Sequence, residues 1–174
     1  SPDGKTLVFN AAGYLYRMSL PNGKPKRITS DTDFEFEPAF SPDGSSIVYV
    51  GWNDEKLGAI YKISLAGGTK KKLTQKPGIY RTPSYSADGK SIVYRKEGGN
   101  NHQGFTNYKK SGIYIIDSNG SKPTFLLPGG EYPRMSADSK SVFYQTGGYL
   151  FGSLTKALKK YDLDKKEEKI IFNT

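Results

Sequence analysis

The apolar residues of this chain fall into short runs that end at glycine, proline or a cluster of polar residues. Runs such as Ile47-Val48-Tyr49 and Ile92-Val93-Tyr94 are apolar at consecutive positions, whereas a strand with one wet face alternates apolar and polar residues. These runs therefore predict short strands that are covered on both faces. The 20 glycines and 10 prolines are spread along the 174 residues and interrupt the chain too often for helices of ordinary length. The pattern predicts an all-β fold.

A polar segment that begins with serine precedes the apolar run in each of four repeats. The copies are SPDGKTLVF (1–9), SPDGSSIVY (41–49), SADGKSIVY (86–94) and SADSKSVFY (136–144). Proline favours the first corner of a type I turn, aspartate caps nearby amides, and glycine takes the left-handed position. The aspartate of each copy is therefore assigned to a turn and not to catalysis. Ser139 replaces the glycine in the fourth copy, which should strain that turn or change its type.

A second segment of each repeat predicts a strand, a tight turn and a further strand. Its copies cover residues 14–29, 59–74, 112–127 and 157–172. Asn22-Gly23, Gly67-Gly68 and Asn119-Gly120 favour two-residue hairpin turns, because such turns need positive φ. The alignment also predicts that residues 157–163 are extended, although their composition favours a helix. A short strand that carries proline precedes three of the polar segments, at residues 37–40, 81–85 and 132–135.

Four short antiparallel strands in a unit of 40 to 50 residues are typical of the blades of a β-propeller. We label the strands a to d from the axis outward and place the blades at about residues 1–30, 31–75, 76–128 and 129–174. Ser1 then falls in the turn between strands a and b, so the first blade lacks its innermost strand. We expect a segment of about four blades from a longer propeller. A closed four-bladed ring is the alternative, but the sequence offers no candidate for the missing strand.

The repeated SPDG turn, followed by segments such as AIYKISLAGGTKKKLT (59–74), resembles the TolB-type propeller repeat of TolB, tricorn-like proteases and several secreted hydrolases. Four stretches more narrowly resemble the N-terminal propeller of exported bacterial amidohydrolases: residues 34–44, 50–65, 95–105 and 145–158. This resemblance implies export to the periplasm and a propeller that shields or feeds the active site of a metal-dependent hydrolase barrel. The partners it implies are the rest of the propeller and a catalytic domain.

The chain itself lacks the residues that such a hydrolase needs for catalysis. An amidohydrolase metal centre uses several histidines, and His102 is the single histidine here. The sequence has no G-x-S-x-G motif, no phosphate-binding glycine loop and no cysteine, so it indicates neither serine hydrolysis nor nucleotide binding nor thiolate chemistry. We therefore predict no catalytic residue, no metal and no cofactor in this chain.

The net charge of +9 raises the hypothesis of nucleic acid or another acidic partner. The basic residues concentrate on the c-to-d turns and on strand d, where charge prevents edge-to-edge association of sheets. Aromatic residues do not alternate with them as they do on a nucleic-acid-binding surface. We predict that the charge serves edge protection and that the chain binds no nucleic acid. The absence of a long apolar run predicts no membrane insertion.

Binding residues are expected at the end of the propeller where the d-to-a and b-to-c loops emerge together. The b-to-c loops lengthen along the chain, from residues 10–13 to 51–58 and 96–112, and long loops often contact partners. Charged residues next to the strand-a prolines should lie near the axis; they are Glu37, Arg81, Glu131 and Arg134. Further candidates for this channel-mouth site are Trp52, Tyr80, His102, Phe105 and Tyr132.

Each part of this site has a structural alternative. The charged residues could form Glu–Arg pairs in a hydrated channel, and the aromatic residues could pack in the core or at the rim. For the function, the preferred hypothesis is a non-catalytic scaffold or gate in a periplasmic amidohydrolase. The alternatives are a stand-alone TolB-like protein-binding module and the propeller of a serine peptidase.

Overall fold

The computed structural model describes residues 1–98, 110–150 and 153–173, which form four antiparallel sheets. The first sheet contains β1 (Thr6–Ala11), β2 (Tyr14–Ser19) and β3 (Lys26–Arg27). The second contains β4 (Phe34–Phe40), β5 (Ser46–Trp52), β6 (Ala59–Ser64) and β7 (Lys71–Lys72). The third contains β8 (Ile79–Tyr85), β9 (Ser91–Glu97), β10 (Gly112–Asp117) and β11 (Thr124–Pro128). The fourth contains β12 (Glu131–Met135), β13 (Ser141–Leu150), β14 (Ser153–Asp162) and β15 (Glu168–Asn173).

Every sheet is a meander in which each strand pairs with the next strand of the sequence. β4 contacts β8, and β8 contacts β12, from one sheet to the next, so the proline-bearing strands are the innermost ones. No helix occurs in the part of the chain that the structure describes, and β14 is extended through the stretch whose composition favours a helix. The all-β propeller architecture is therefore confirmed, with three strands in the first sheet and four in each of the others.

Apolar side chains fill the space between successive sheets. Leu15, Ile60 and Ile113 occupy the same position of strand c in three blades, and each is 0% exposed. Each belongs to an apolar cluster that includes a tyrosine of the following sheet: Tyr49, Tyr80 and Tyr144, respectively. Burial of one such side chain stabilises the fold by roughly 1.5–3 kcal/mol. Because the central strands have apolar residues on both faces, each sheet needs a neighbour on each side.

The polar segment forms the same turn in all four repeats. In the second copy the Ser41 hydroxyl donates to Asp43 Oδ1 at 2.5 Å, and the Ser45 amide donates to the same oxygen at 3.1 Å. The Gly44 amide donates to the Ser41 carbonyl at 2.9 Å. Corresponding serine–aspartate bonds recur in the other copies. The aspartates therefore have the turn-forming contacts that the sequence predicted.

Ser139 keeps this turn type, although it replaces glycine. Its amide donates to the Ser136 carbonyl at 2.9 Å, as the Gly44 amide does to Ser41. The φ angle is +57° for Ser139 and +70° for Gly44. A left-handed conformation costs an L-residue about 1–2 kcal/mol. The fourth turn is thus strained and not changed in type.

The connections between strands c and d are longer than the sequence predicted. Six residues join β2 to β3, β6 to β7 and β10 to β11, so the prediction of two-residue turns is wrong. Gly67, Gly68 and Gly120 have positive φ, whereas Gly23 does not. The longer loops meet the preceding sheet, since Arg17 donates to the carbonyl oxygen of Leu65 at 2.7 Å.

The turn at Asp43 should make stability depend on acid. The Ser41 hydroxyl, the Ser45 amide and the Ser45 hydroxyl lower the pKa of Asp43 from 3.8 to about 2. Because the folded pKa lies below the unfolded one, the stability that this carboxylate contributes is present above about pH 4 and is lost as the pH falls to about 2. Denaturant midpoints measured at about pH 5 and about pH 2 should therefore differ less for Asp43→Asn than for the wild type. Equal differences would contradict this assignment.

Candidate functional site

The loops of the propeller divide between its two ends as predicted. At one end the c-to-d loops bond to the a-to-b turns, as in the Leu65 amide to the Ser45 carbonyl at 2.9 Å. At the other end the b-to-c loops meet the d-to-a loops. There the Asn53 amide group donates to Asp33 Oδ1 at 2.9 Å, and Gly58 forms a bridge with Gly78. The end that contains the b-to-c and d-to-a loops is therefore the one at which the binding site was expected.

All three innermost strands contain a bulge at their proline. The register of pairing shifts in β4, β8 and β12 across Pro38, Pro83 and Pro133, respectively. The residue before each proline has positive φ: +52° at Glu37, +49° at Thr82 and +50° at Tyr132. This conformation is costly for any residue other than glycine, and most of all for a β-branched one such as threonine. Backbone strain is thus repeated at the same position of three blades around the axis, and such strain often marks functional sites.

Glu37 connects the second blade to the third at this position. Its Oε1 lies 2.9 Å from Arg81 Nη2, and its Oε2 accepts the Thr82 amide at 2.5 Å. The Thr82 hydroxyl is buried and has no hydrogen-bond partner. Desolvation lowers the pKa of Arg134, and the negative charge of Glu37 opposes this shift. Two arginines therefore lie in the field of one carboxylate.

Glu131 has a partner that sequence reasoning missed. Its Oε1 lies 2.9 Å from Nη1 of Arg95 in β9, and the same nitrogen lies 3.8 Å from Glu97 Oε1. Arg134 instead donates to the Pro133 carbonyl at 2.9 Å. The charge that ends the apolar run Ile92-Val93-Tyr94 was the available signal, because β9 of the third sheet also contacts β12 of the fourth. Of the Glu–Arg pairs expected among the four charged candidates, the structure shows Glu37 with Arg81, whereas Glu131 pairs with Arg95 of the third sheet.

The aromatic candidates do not form one surface. The indole nitrogen of Trp52 donates to Asp54 Oδ1 at 2.7 Å beside a shallow cavity of about 260 Å³. Tyr132 is 56% exposed at the axis, whereas Tyr80 is buried between the second and third sheets. The structure therefore brings Tyr132, but not Tyr80, to the charged residues. His102 and Phe105 lie outside the residues that the structure describes.

The described ranges contain no group of three or more histidines, cysteines or acidic residues that could hold a metal ion. No helix in these ranges is long and apolar enough to cross a membrane. Near the axis, the innermost strands carry guanidinium and carboxylate groups on or next to the strained residues. Guanidinium groups bind carboxylates through paired hydrogen bonds. The chemistry that this arrangement supports is recognition of a carboxylate or of a charged peptide segment.

These features define a β-propeller domain with charged residues at its channel mouth. Residues 2–172 match the family of the tricorn protease N-terminal beta propeller domain, and the chain belongs to this family. No significant match occurs among curated proteins.

Three solved structures illustrate the likeness, each with a different degree of coverage. TolB from Acinetobacter baumannii is 24% identical, with a TM-score of 0.72 over 99% of this chain and 42% of its own. Oligogalacturonate lyase from Vibrio parahaemolyticus is 12% identical, with a TM-score of 0.74 over 100% of this chain and 52% of its own. The tricorn protease is 16% identical, with a TM-score of 0.74 over 99% of this chain and 22% of its own. At these identities the likeness establishes the fold, and it confirms a TolB-like propeller.

Replacement of Thr82 by glycine should stabilise the protein. The change removes the left-handed strain and an unpaired buried hydroxyl, so the free energy of unfolding should rise by about 1 kcal/mol even after the entropic cost of glycine. The control is Ser84→Gly, in the same strand beyond the bulge, which should lower the free energy of unfolding. Chemical denaturation of both variants measures the two effects. A loss of stability in Thr82→Gly would refute strain at the bulge.

Proposed function

We propose that this chain is the non-catalytic binding and gating part of a larger exported protein. Its channel mouth would contact either a carboxylate-bearing substrate or the catalytic domain that this substrate must reach. The observation that carries the proposal is the position of Glu37, which bonds Arg81 and the strained Thr82 backbone and also lies in the electrostatic range of Arg134. In the preferred form, the larger protein is a periplasmic metal-dependent amidohydrolase.

The exposure of the arginines supports a binding role for these charges. The Arg81 side chain is 53% exposed while it bonds Glu37, and Arg134 is also exposed. An exposed pair of this kind stabilises a fold by only about 0–1 kcal/mol. Stability alone is therefore a weak reason to hold charged residues on a strained backbone. Guanidinium donors that still face solvent are available to a second carboxylate.

The family supports a place beside a hydrolase. The matching family takes its name from a propeller at the N-terminus of a protease, and the chain spans 22% of the tricorn protease structure. The stretches that resemble exported amidohydrolases, 34–44, 50–65, 95–105 and 145–158, favour a metal-dependent barrel as the neighbour. The likeness to TolB favours the alternative of a protein-binding module without an enzyme, and a serine peptidase is the third candidate.

A further sheet is the expected partner of the fourth sheet. Leu158 occupies the strand c position of Leu15, Ile60 and Ile113, which are fully buried by the following blade, yet it is 37% exposed. Phe172, which lies opposite Leu158 in the pairing of β14 with β15, is 62% exposed. The fourth sheet therefore presents to solvent the face that every earlier sheet buries. We propose that the next blade of the propeller covers it.

Serine substitution at Leu158 and Phe172 tests this partner. In the 174-residue chain the double substitution should change the free energy of unfolding by less than about 0.5 kcal/mol, because these side chains are exposed. In a protein extended by the following 45 or so residues of its gene, roughly one blade, the same change should cost about 2–4 kcal/mol. Ile113→Ser is the matched control and should destabilise both proteins. An equal effect of the double substitution in the short and long proteins would exclude a covering blade.

Arg81→Ala and Arg134→Ala test the channel mouth in the full-length protein. Each should lower activity or domain association about tenfold, as expected for loss of a charged hydrogen bond, while the melting temperature shifts by less than about 3 °C. Deletion of residues 98–108, in the long b-to-c loop, should have the same signature. Lys26→Ala, on the exposed outer strand β3, is the control that should leave activity and association unchanged. Unchanged activity and association in all the variants would leave the segment as a scaffold only.

The sequence that flanks this chain in its gene separates the three candidate proteins. A histidine-rich barrel domain is expected for the amidohydrolase. A G-x-S-x-G domain would indicate the serine peptidase, and the lack of any catalytic domain would indicate the TolB-like module. The channel-mouth experiment applies to each of these proteins, because domain association or partner binding replaces activity as the measured quantity where no enzyme is present.

A further inference from the structure

A cavity of about 620 Å³ lies between the second and third sheets, and none of the four charged channel-mouth candidates is among its described lining residues. Its volume is in the range of small-molecule sites. Tyr80, Tyr94 and Tyr114, from adjacent strands of the third sheet, contribute their rings to the lining. The rings of Tyr94 and Tyr114 are 5.7 Å apart and nearly parallel, and those of Tyr80 and Tyr94 are 5.6 Å apart. The cavity therefore has a continuous aromatic wall.

Four lysines surround this aromatic wall: Lys76, Lys96, Lys110 and Lys122. No aspartate or glutamate is among the described residues that line the cavity. The cavity is therefore positively charged, and it lies in a chain that already has a net charge of +9.

Specific contacts hold the lysines at the cavity. The hydroxyl of Tyr80 donates to the Lys76 carbonyl, and the hydroxyl of Tyr114 donates to the Lys110 carbonyl, each at 2.6 Å. Lys96 is only 9% exposed, and its Nζ lies 5.5 Å from the centre of the Tyr80 ring. A Cβ atom at Gly78 would lie 2.9 Å from Lys96 Cε, so this glycine leaves room for the lysine chain. Burial, together with the charge of Lys76, lowers the pKa of Lys96.

The equivalent cleft between the first and second sheets contains its own anions. There Lys70 lies 2.7 Å from Asp31 and 3.6 Å from Asp33, and the buried Glu35 accepts the Leu15 amide at 3.1 Å. The repeat alignment places Lys76 at the position of Asp31, Gly78 at that of Asp33 and Tyr80 at that of Glu35. The second cleft has therefore replaced each carboxylate of the first and added lysines. Among the described residues that line it, no carboxylate takes the place of the three in the first cleft.

We propose that this tyrosine–lysine pocket binds a small organic anion that carries a ring, with a carboxylate or phosphate group among the lysines and the ring against the tyrosine wall. The half-buried Tyr114, backed by the buried rings of Tyr80 and Tyr94, offers an apolar aromatic surface to an aromatic or sugar ring. In the first cleft, carboxylates balance the positive charge of Lys70. In this pocket, the bound anion would balance the positive charge of the lysines. A metal cation is disfavoured by the lysines, and a simple inorganic anion would leave the aromatic wall unused. The site is separate from the channel mouth and does not depend on the proposed function.

Titration with 2-naphthoate tests the pocket, with 2-naphthalenemethanol as the neutral analogue and acetate as the anion without a ring. Isothermal titration calorimetry of the 174-residue chain should show one site for 2-naphthoate, with an affinity at least about tenfold higher than that for either control compound, as expected for a hydrogen bond to a charged group. Amide NMR shifts should concentrate in residues 74–80 and 112–116. Equal affinities for naphthoate and the alcohol, or shifts elsewhere, would overturn the proposal.

Two variants of the pocket lysines test whether naphthoate binds in this pocket. Lys96→Met keeps the length of the side chain and removes its charge, and it should weaken naphthoate binding about tenfold. The double variant Lys76→Gln, Lys122→Gln changes only exposed side chains and should weaken binding even if the buried substitution prevents folding. Lys71→Met, on the exposed strand β7, removes one charge outside the pocket and is the control. An equal loss in Lys71→Met would show a response to net charge only, and the assignment would fail.

Discussion

Burial of apolar faces between successive sheets is the interaction on which this structure depends. Leu15, Ile60 and Ile113 are all fully buried, and each reaches the following sheet from the same repeat position. A polar contact accompanies this packing at two of the interfaces, where Arg17 and Lys62 donate to carbonyl groups of the next sheet at 2.7 and 3.3 Å. These bonds also fix the height at which one sheet meets the next. A blade is consequently stable as a member of a stack and not as an isolated sheet.

The stacking also explains why the candidate site carries strain. Innermost strands from successive sheets converge near the axis, and a bulge at proline turns each of them there. The surrounding packing holds Glu37, Thr82 and Tyr132 at positive φ, because relaxation of one bulge would disturb the sheet beside it. Glu37 adds a direct bond from one bulge to the next through the Thr82 amide. The position of the charged groups is therefore set by the backbone, which limits how far they can rearrange around a ligand.

The sequence was sufficient for the features that repeat. The serine–aspartate turn recurs in four copies and the innermost proline strand in three, and alignment with the other repeats predicted the extended β14. The predicted length of the c-to-d loops was wrong. A glycine pair indicates where a turn lies, but it does not reveal that the neighbouring sheet contacts the loop at Leu65. The partner of Glu131 was missed for a related reason. Its partner Arg95 belongs to the neighbouring sheet, and no spacing in the sequence specifies which residues of two sheets meet.

Differences between otherwise equivalent repeats are the best guide to binding in such a chain. Side chains that line the two clefts differ at equivalent positions: Tyr80 stands where the first cleft has Glu35, and Lys96 stands where it has Gly51. The basic residues therefore fall into two groups, which the sequence alone does not distinguish. Residues such as Lys71 and Lys72 lie on exposed outer strands and serve edge protection. Lys96, in contrast, is buried beside the ring of Tyr80, so edge protection does not account for its charge.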